Sequence, residues 1–380
     1  MVAGSYLLVC PFLWIHTGSE TPWVVALLAM AARTGERRPV AAGLAAGAAV
    51  WFRPDAGLGV ALLGLLLWRR RRRLPWAFGL AAGGTIAAGL AAARLWFGRF
   101  LPLTLEAKRV HAQWLPGLFA DGPRFWATAL VQFQTFFAGG LTFLLIALAL
   151  AGHVLLIRRG GPAARLLALY SLALVVAYPL LGVSCYTWYL LPAVVAGIYG
   201  GVAAAGWAAR RTSAFFGHTA LGRATAAALV AAVLGTPAVV LARGAWGFAA
   251  GPLTDPCYEL YRRVGSWLRD HTAPDERSAY VEVGTIGYFS ERPVDDLIGL
   301  VTPQSLPHLR HGDIASAFLA RPPEYFLYHT PLNIFLDPIR DAPWFSGAYA
   351  EATRFEQPSY STPMIVYRRQ PEASLPPPTD

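Results

Sequence analysis

Trp68-Arg69-Arg70-Arg71-Arg72-Arg73-Leu74-Pro75 is the stretch that sets the class of this chain. Five consecutive arginines separate two apolar runs, 56–68 and 75–97, with no acid among them. Outward from there the pattern recurs. Arg33, Arg37 and Arg38 follow the run 22–33. Arg158, Arg159 and Arg165 stand between 136–157 and 166–183, and Arg210, Arg211 and Arg223 between 187–209 and 224–242. Glu36 is the sole acid within these four clusters. Cytoplasmic loops of membrane proteins are enriched in Lys and Arg, so the clusters are expected inside and the intervening loops outside.

A spanning helix takes about 20 apolar residues, which the runs 75–97, 136–157, 166–183, 187–209 and 224–242 supply. The run 22–33 is shorter, but Thr17–Pro22 reads as a helix start with the proline in the first turn. The runs 40–52 and 56–68 are also short, and Arg53-Pro54-Asp55 joins them. A residue before proline resists helix, so two short helices meeting at an outer turn are expected. With residues 1–15 as a partial first span, about nine segments result. The outer loops are then 16–21, 53–55, 98–125 and 184–186.

Composition agrees. Of 380 residues 55% are hydrophobic and 14% charged, less charge than a soluble domain of this size carries. The net charge of +10 splits into +16 over residues 1–249 and −6 over 250–380. The basic side chains sit in the inner loops and suit anionic membrane lipid. No basic, aromatic-rich soluble domain is present, so nucleic acid is not an expected partner.

Near residue 250 spanning runs stop and charge rises. Cys257–Asp270 carries a helical stripe of Tyr261, Val264, Trp267 and Leu268. Ser278–Val283, Val294–Leu297, Tyr325–Tyr328 and Met364–Tyr367 read as strands, and Ile314–Leu319 as a helix. The expected organisation is a multi-span transmembrane domain over 1–249, a small extracytoplasmic α/β domain over 250–370, and a Pro-rich disordered tail over 371–380. Cys10, Cys185 and Cys257 have no metal or redox spacing, and no metal site is expected. A Cys185–Cys257 disulfide is open on this topology; two thiols are the simpler reading.

Several polar groups carry possible chemistry. Lys108 is the sole lysine against 31 arginines, in a loop with Arg109 and His111. Its compact ammonium suits a phosphate, and an interfacial cation solvated by headgroups is the plainer alternative. Glu20 is either a first-turn acid favoured by the helix dipole or a carboxylate at the mouth of a membrane cavity. Arg53 and Asp55 read more simply as a capping and snorkelling pair than as a ligand clamp. Tyr186, Trp188 and Tyr189 fit an aromatic belt, with stacking on a sugar ring as the sharper alternative. Tyr280–Tyr288 reads as a strand running into a glycine turn, too loose for a nucleotide fingerprint and with no clear helix after it. Asp295 and Asp296 are expected to be solvated.

Taken in order, these segments resemble the membrane-embedded GT-C glycosyltransferases of bacteria, in particular the arabinofuranosyl- and mannosyl-transferase-like members. The resemblance rests on Thr17-Gly18-Ser19-Glu20-Thr21, Arg53-Pro54-Asp55, Leu101-Pro102-Leu103-Thr104-Leu105-Glu106-Ala107-Lys108 and Trp188-Tyr189-Leu190-Leu191-Pro192. In the tail it rests on Glu282-Val283-Gly284, Gly287-Tyr288 and Asp296-Leu297-Ile298-Gly299-Leu300. It runs over most of residues 10–305, and its specificity lies in the order of short motifs.

The resemblance implies a GT-C-like α-helical polytopic protein of the plasma membrane. It implies sugar transfer from a polyprenyl-phosphate donor to an extracytoplasmic glycan, lipid or protein acceptor. Glu20 would be the catalytic carboxylate, Lys108, Arg109 and Arg53 would hold the donor phosphate, and Tyr186 or Trp188 would stack on sugar. One departure stands out. The family's catalytic carboxylate lies in the first outer loop, and no such loop precedes Glu20. Met1 opens directly into an apolar run, so the family's first helices are expected upstream, or the chain is a fragment or a non-catalytic relative. That relative, which would bind lipid-linked glycans or scaffold envelope assembly, is the second reading. A transporter ranks last, for want of repeated halves with broken helices.

Overall fold

The computed structural model describes residues 19–101, 103–115, 124–137, 142–183, 185–215 and 256–378, with isolated positions between 219 and 235. The expected first span over 1–15 and most of the run 224–242 lie outside the described residues.

In chain order the helices before the sheet are α1 (Thr21–Thr34), α2 (Pro39–Phe52), α3 (Ala56–Arg71), α4 (Trp76–Phe97), α5 (Leu103–Trp114), α6 (Phe125–Phe137), α7 (Thr142–Arg159), α8 (Pro162–Leu180) and α9 (Thr187–Phe215). Prolines open α1, α2 and α8, where their missing N–H costs nothing. Gly98, at φ +70°, ends α4 in the left-handed conformation that glycine adopts without strain. Arg53 is extended (φ −149°, ψ 124°), as a residue before proline should be, and it breaks α2 from α3.

The described residues form two compact units. The first holds α1–α4 and α6–α9. Its core brings Val24, Leu28 and Ala31 of α1 together with Leu63 of α3, Tyr170 and Leu174 of α8 and Leu190 of α9. Small residues let the backbones approach. A Cβ on Gly43 would lie 2.5 Å from the Phe78 carbonyl oxygen, and one on Gly47 2.8 Å from that of Ala82, so the Gly-x-x-x-Gly face of α2 meets α4 backbone to backbone. Gly152 of α7 and Gly200 of α9 meet as closely, a Cβ on Gly152 falling 2.1 Å from the Gly200 carbonyl carbon. Helices α4 and α8 and the stretch Thr187–Thr212 of α9 are each long and apolar enough to cross a membrane. Large apolar side chains point outward from them, Leu80, Leu95 and Leu180 among them, as hydrocarbon-facing helices require.

The second unit is a small α/β domain. Helix α10 (Pro256–His271) leads to β1 (Ser278–Tyr280), α11 (Val283–Ser290) and β2 (Val294–Asp296). Short helices α12 (Leu306–Leu309) and α13 (Ile314–Leu319) precede β3 (Tyr325–Tyr328). Then come α14 (Asn333–Arg340), α15 (Phe345–Ala348), β4 (Tyr349–Phe355) and β5 (Met364–Arg369). The sheet order is β2-β1-β3-β5-β4. Strands β2, β1 and β3 run parallel, and β5 and β4 close the sheet antiparallel.

Three expectations change here. Residues 103–114 are a helix built into this unit, whereas the sequence placed all of 98–125 in a loop of the membrane domain. Ala107 and Val110 are buried in the α/β core, Arg310 pairs with Glu106 at 2.7 Å, and the Trp114 and Phe335 rings lie 5.7 Å apart. Second, β1 ends at Tyr280 and α11 starts at Val283, so the glycines Gly284 and Gly287 lie within a helix and not in a turn. Third, Ala373 and Leu375 of the tail pack against the core, so residues 371–378 follow the domain surface.

Candidate functional site

The helix ends of the first unit bring one polar network together. Glu20 and Thr21 begin α1, Arg53 and Asp55 form the α2–α3 break, Tyr178 lies in the last turn of α8, and Tyr189 lies in the first turn of α9. Arg53 is the hub and is 8% exposed. Its Nη1 donates to Glu20 Oε1 at 2.9 Å and Thr21 Oγ1 at 3.3 Å. Its Nη2 donates to Asp55 Oδ2 at 2.6 Å and the Tyr178 hydroxyl at 3.1 Å, and Nε spans both Asp55 oxygens at 3.2 Å. The Tyr178 hydroxyl in turn donates to Asp55 Oδ2.

Aromatic rings wall this network. The Arg53 guanidinium lies 5.3 Å from the Tyr189 ring centroid, within cation–π range. Tyr189 stacks on Tyr178 at 4.1 Å, and Tyr178 is in turn parallel to Phe125 at 6.3 Å. Tyr186 and Trp188 stack on each other at 4.5 Å and 6°, and both meet Tyr189 edge-on. The network is thus one guanidinium, two carboxylates and several aromatic faces.

Geometry revises the simple reading of Arg53. It does not snorkel: it turns inward, because Asp55, Glu20 and Tyr178 together replace the water it gives up. Nor does Asp55 cap α3 with its side chain; its carboxylate is spent on Arg53 and Tyr178. Glu20 occupies the N-cap position of α1 without a side-chain cap bond, and its side chain remains 45% exposed. Both acids stand at helix N-termini, where the macrodipole favours negative charge. Of the site residues expected from sequence, Glu20, Arg53, Tyr186 and Trp188 come together. Tyr178 was missed; the signal available was a phenol inside an otherwise apolar run, a group that must find a partner when buried.

Lys108 and Arg109 belong to the second unit, on α5. The neighbouring His111 is buried, and its Nε2 meets the Ile298 carbonyl at 2.5 Å. Burial lowers the His111 pKa, and the Lys108 charge adds to that. Asp296 accepts from the backbone N–H groups of Ile298, Leu300 and Val301 at 3.0, 2.6 and 3.1 Å, and Asp295 pairs with Arg277 at 2.5 Å and Arg321 at 3.2 Å. Both acids hold the domain together; neither is solvated as the sequence suggested. Cys185, which is buried, and Cys257 are thiols. Among the described residues no group of three His, Cys, Asp or Glu is placed to hold a metal.

A family model described as a domain of unknown function (DUF8728) matches residues 255–372, which span α10 to β5 and slightly beyond. No curated protein matches the chain.

Proposed function

We propose that this chain is a multi-pass membrane glycosyltransferase of GT-C type with its α/β domain outside the cytoplasm. On this reading it moves a sugar from a polyprenyl-phosphate donor to an extracytoplasmic glycan, lipid or protein acceptor. The observation that carries the reading is the Glu20–Arg53–Asp55 network walled by Tyr178, Tyr186, Trp188 and Tyr189. It lies at the helix ends opposite Arg33 and Arg69–Arg71, the ends the arginine pattern assigns to the outer face. Glu20, half exposed and held by Arg53, would take the proton of the acceptor hydroxyl as the bond to the sugar forms. Tyr186 and Trp188 would offer ring faces to sugar.

The neutralisation of Arg53 favours a second reading. Asp55 and Glu20 already answer its charge, which leaves the network itself without excess positive charge for a phosphate. A non-catalytic relative that binds lipid-linked glycans, or scaffolds envelope assembly, would show this arrangement. Incubation of the purified chain with a panel of polyprenyl-phosphate-linked hexoses and pentoses separates the two. Acceptor-dependent release of polyprenyl phosphate supports transfer. Saturable donor binding without release supports the binding relative and overturns transfer.

A further inference from the structure

The connections around β1 create a site at the carboxyl edge of the sheet. From β1 the chain crosses through α11 to β2 on one side, and from β2 it returns to β3 on the other side of β1. The strand order therefore reverses at β1, and ligands of open α/β sheets bind outside the carboxyl ends of the strands at such a reversal. Ser278 pairs with Tyr325 and Ala279 with Phe326. Glu282 follows the carboxyl end of β1 by two residues and His329 that of β3 by one, so both leave the sheet on this edge.

The side chains gathered there are polar, and one buried atom among them, His329 Nε2, is unmatched among the described residues. The Tyr261 hydroxyl donates to Glu282 Oε2 at 2.5 Å and lies 3.2 Å from the Tyr280 hydroxyl. Glu282 is exposed, and among the described residues no cation pairs with it. His329 is 1% exposed and packs edge-on against Tyr360 at 4.8 Å. Its Nε2 has no hydrogen-bond partner among the described residues. A buried polar atom left unmatched calls for an explanation, and a group that completes the site supplies one. Burial also lowers the His329 pKa, which keeps the ring neutral.

We propose that this edge binds a neutral polyhydroxylated ligand, a sugar, whose hydroxyls are received by the exposed Glu282 carboxylate and the Tyr261 hydroxyl bonded to it, with the buried Tyr280 and His329 behind them. The chemistry selects that class. A phosphate or carboxylate would face the Glu282 charge. A metal ion would want more ligands than one carboxylate and a buried imidazole. Sugar hydroxyls both donate and accept, and the edge offers a carboxylate acceptor beside the Tyr261 phenol, which does both. This goes beyond the transfer reading, since binding at this edge requires no turnover.

The test uses the full chain in lipid nanodiscs, with methyl glycosides of a hexose and of a pentose as probes. Saturation-transfer NMR and a fluorescence titration read binding. At least one glycoside is expected to bind, with affinity falling tenfold or more in Glu282→Gln and in Tyr261→Phe and unchanged in Glu351→Gln. Tyr261→Phe keeps the ring, so it stands in should Glu282→Gln fail to fold. Three results would overturn the proposal: no binding of either glycoside, equal binding by both site variants, or displacement of bound glycoside by butylammonium at lower concentration, which marks a cation site. Loss of binding in Trp188→Ala with Glu282→Gln unaffected would assign the sugar to the first unit instead, and also overturns it. None of these results bears on Glu20, so transfer stands or falls separately.

Discussion

Arg53 Nη2 lies 2.6 Å from Asp55 Oδ2, and that same oxygen accepts the Tyr178 hydroxyl from a helix more than a hundred residues away. A proline break three residues wide, Arg53–Asp55, is thereby tied to the last turn of α8. Removing the guanidinium would leave two carboxylates facing aromatic rings. Breaking a buried pair from one side costs about 3–5 kcal/mol, so Arg53→Ala is expected to lower the thermal midpoint of the first unit sharply. Arg53→Lys should recover little, because an ammonium cannot span both Asp55 oxygens as the fork does. Thermal unfolding in detergent, followed through first-unit peptides by hydrogen exchange, measures both. Equal midpoints for wild type and Arg53→Ala would contradict the network's role.

The Gly152–Gly200 contact predicts a steric effect. Any Cβ at Gly152 meets backbone atoms of α9, which cannot rotate away as a side chain can. Gly152→Val should separate α7 from α9 and expose the α7 backbone to exchange. Gly79, where a Cβ meets nothing within 4 Å, is the matched control, and Gly79→Ala should be tolerated. Exchange rates in α7 unchanged by Gly152→Val would refute the close approach.

Helix α5 should be part of the folded α/β unit in solution. Val110 is 3% exposed within that core. Val110→Asp buries an unpaired charge, a loss of several kcal/mol, and should make peptides of 325–369 susceptible to protease although they are distant in sequence. Arg109→Asp, on the exposed face of the same helix, should leave them resistant. Protection of 325–369 in both variants would mean that α5 is not needed by this domain.

Stability of the α/β unit should fall in acid. Burial holds His111 and His329 below the ordinary histidine pKa, so the unfolded chain binds more protons than the folded one as pH drops. Their contribution is complete above roughly pH 6.5, the unfolded histidine value, and is lost as pH falls through the lowered folded values. Hydrogen exchange of this unit, corrected for intrinsic rate, should show loosening on acidification. The loosening should shrink in His329→Gln and shrink further with His111→Gln added; an undiminished response in the double variant would assign it to other groups.

Much of this was legible in the sequence, and the misses share a cause. Helix positions followed apolar runs, and the break at Arg53 followed from Pro54, because both are local rules. The pairing of Glu20 with Arg53 was not visible, since it joins residues 33 apart through the packing of α1 on α2. Helix α5 was missed for a related reason. Its charged residues read as loop polarity, while the apolar face of Leu103, Ala107, Val110 and Trp114 makes sense only against a domain that begins 150 residues later. The turn after β1 was misjudged because its two glycines looked like breakers. Yet the helix forms through Val283–Ser290, with Ile286 buried as its anchor.

The most direct measurement is the rate of sugar transfer from a polyprenyl-phosphate donor by wild type and by Glu20→Gln, each reconstituted in lipid and matched for thermal midpoint. General base catalysis contributes about 10²–10⁴-fold, so the account expects turnover by wild type and at least a hundredfold loss in Glu20→Gln. Equal turnover by the two proteins would remove Glu20 from the chemistry. Donor binding by both without turnover by either would contradict transfer itself.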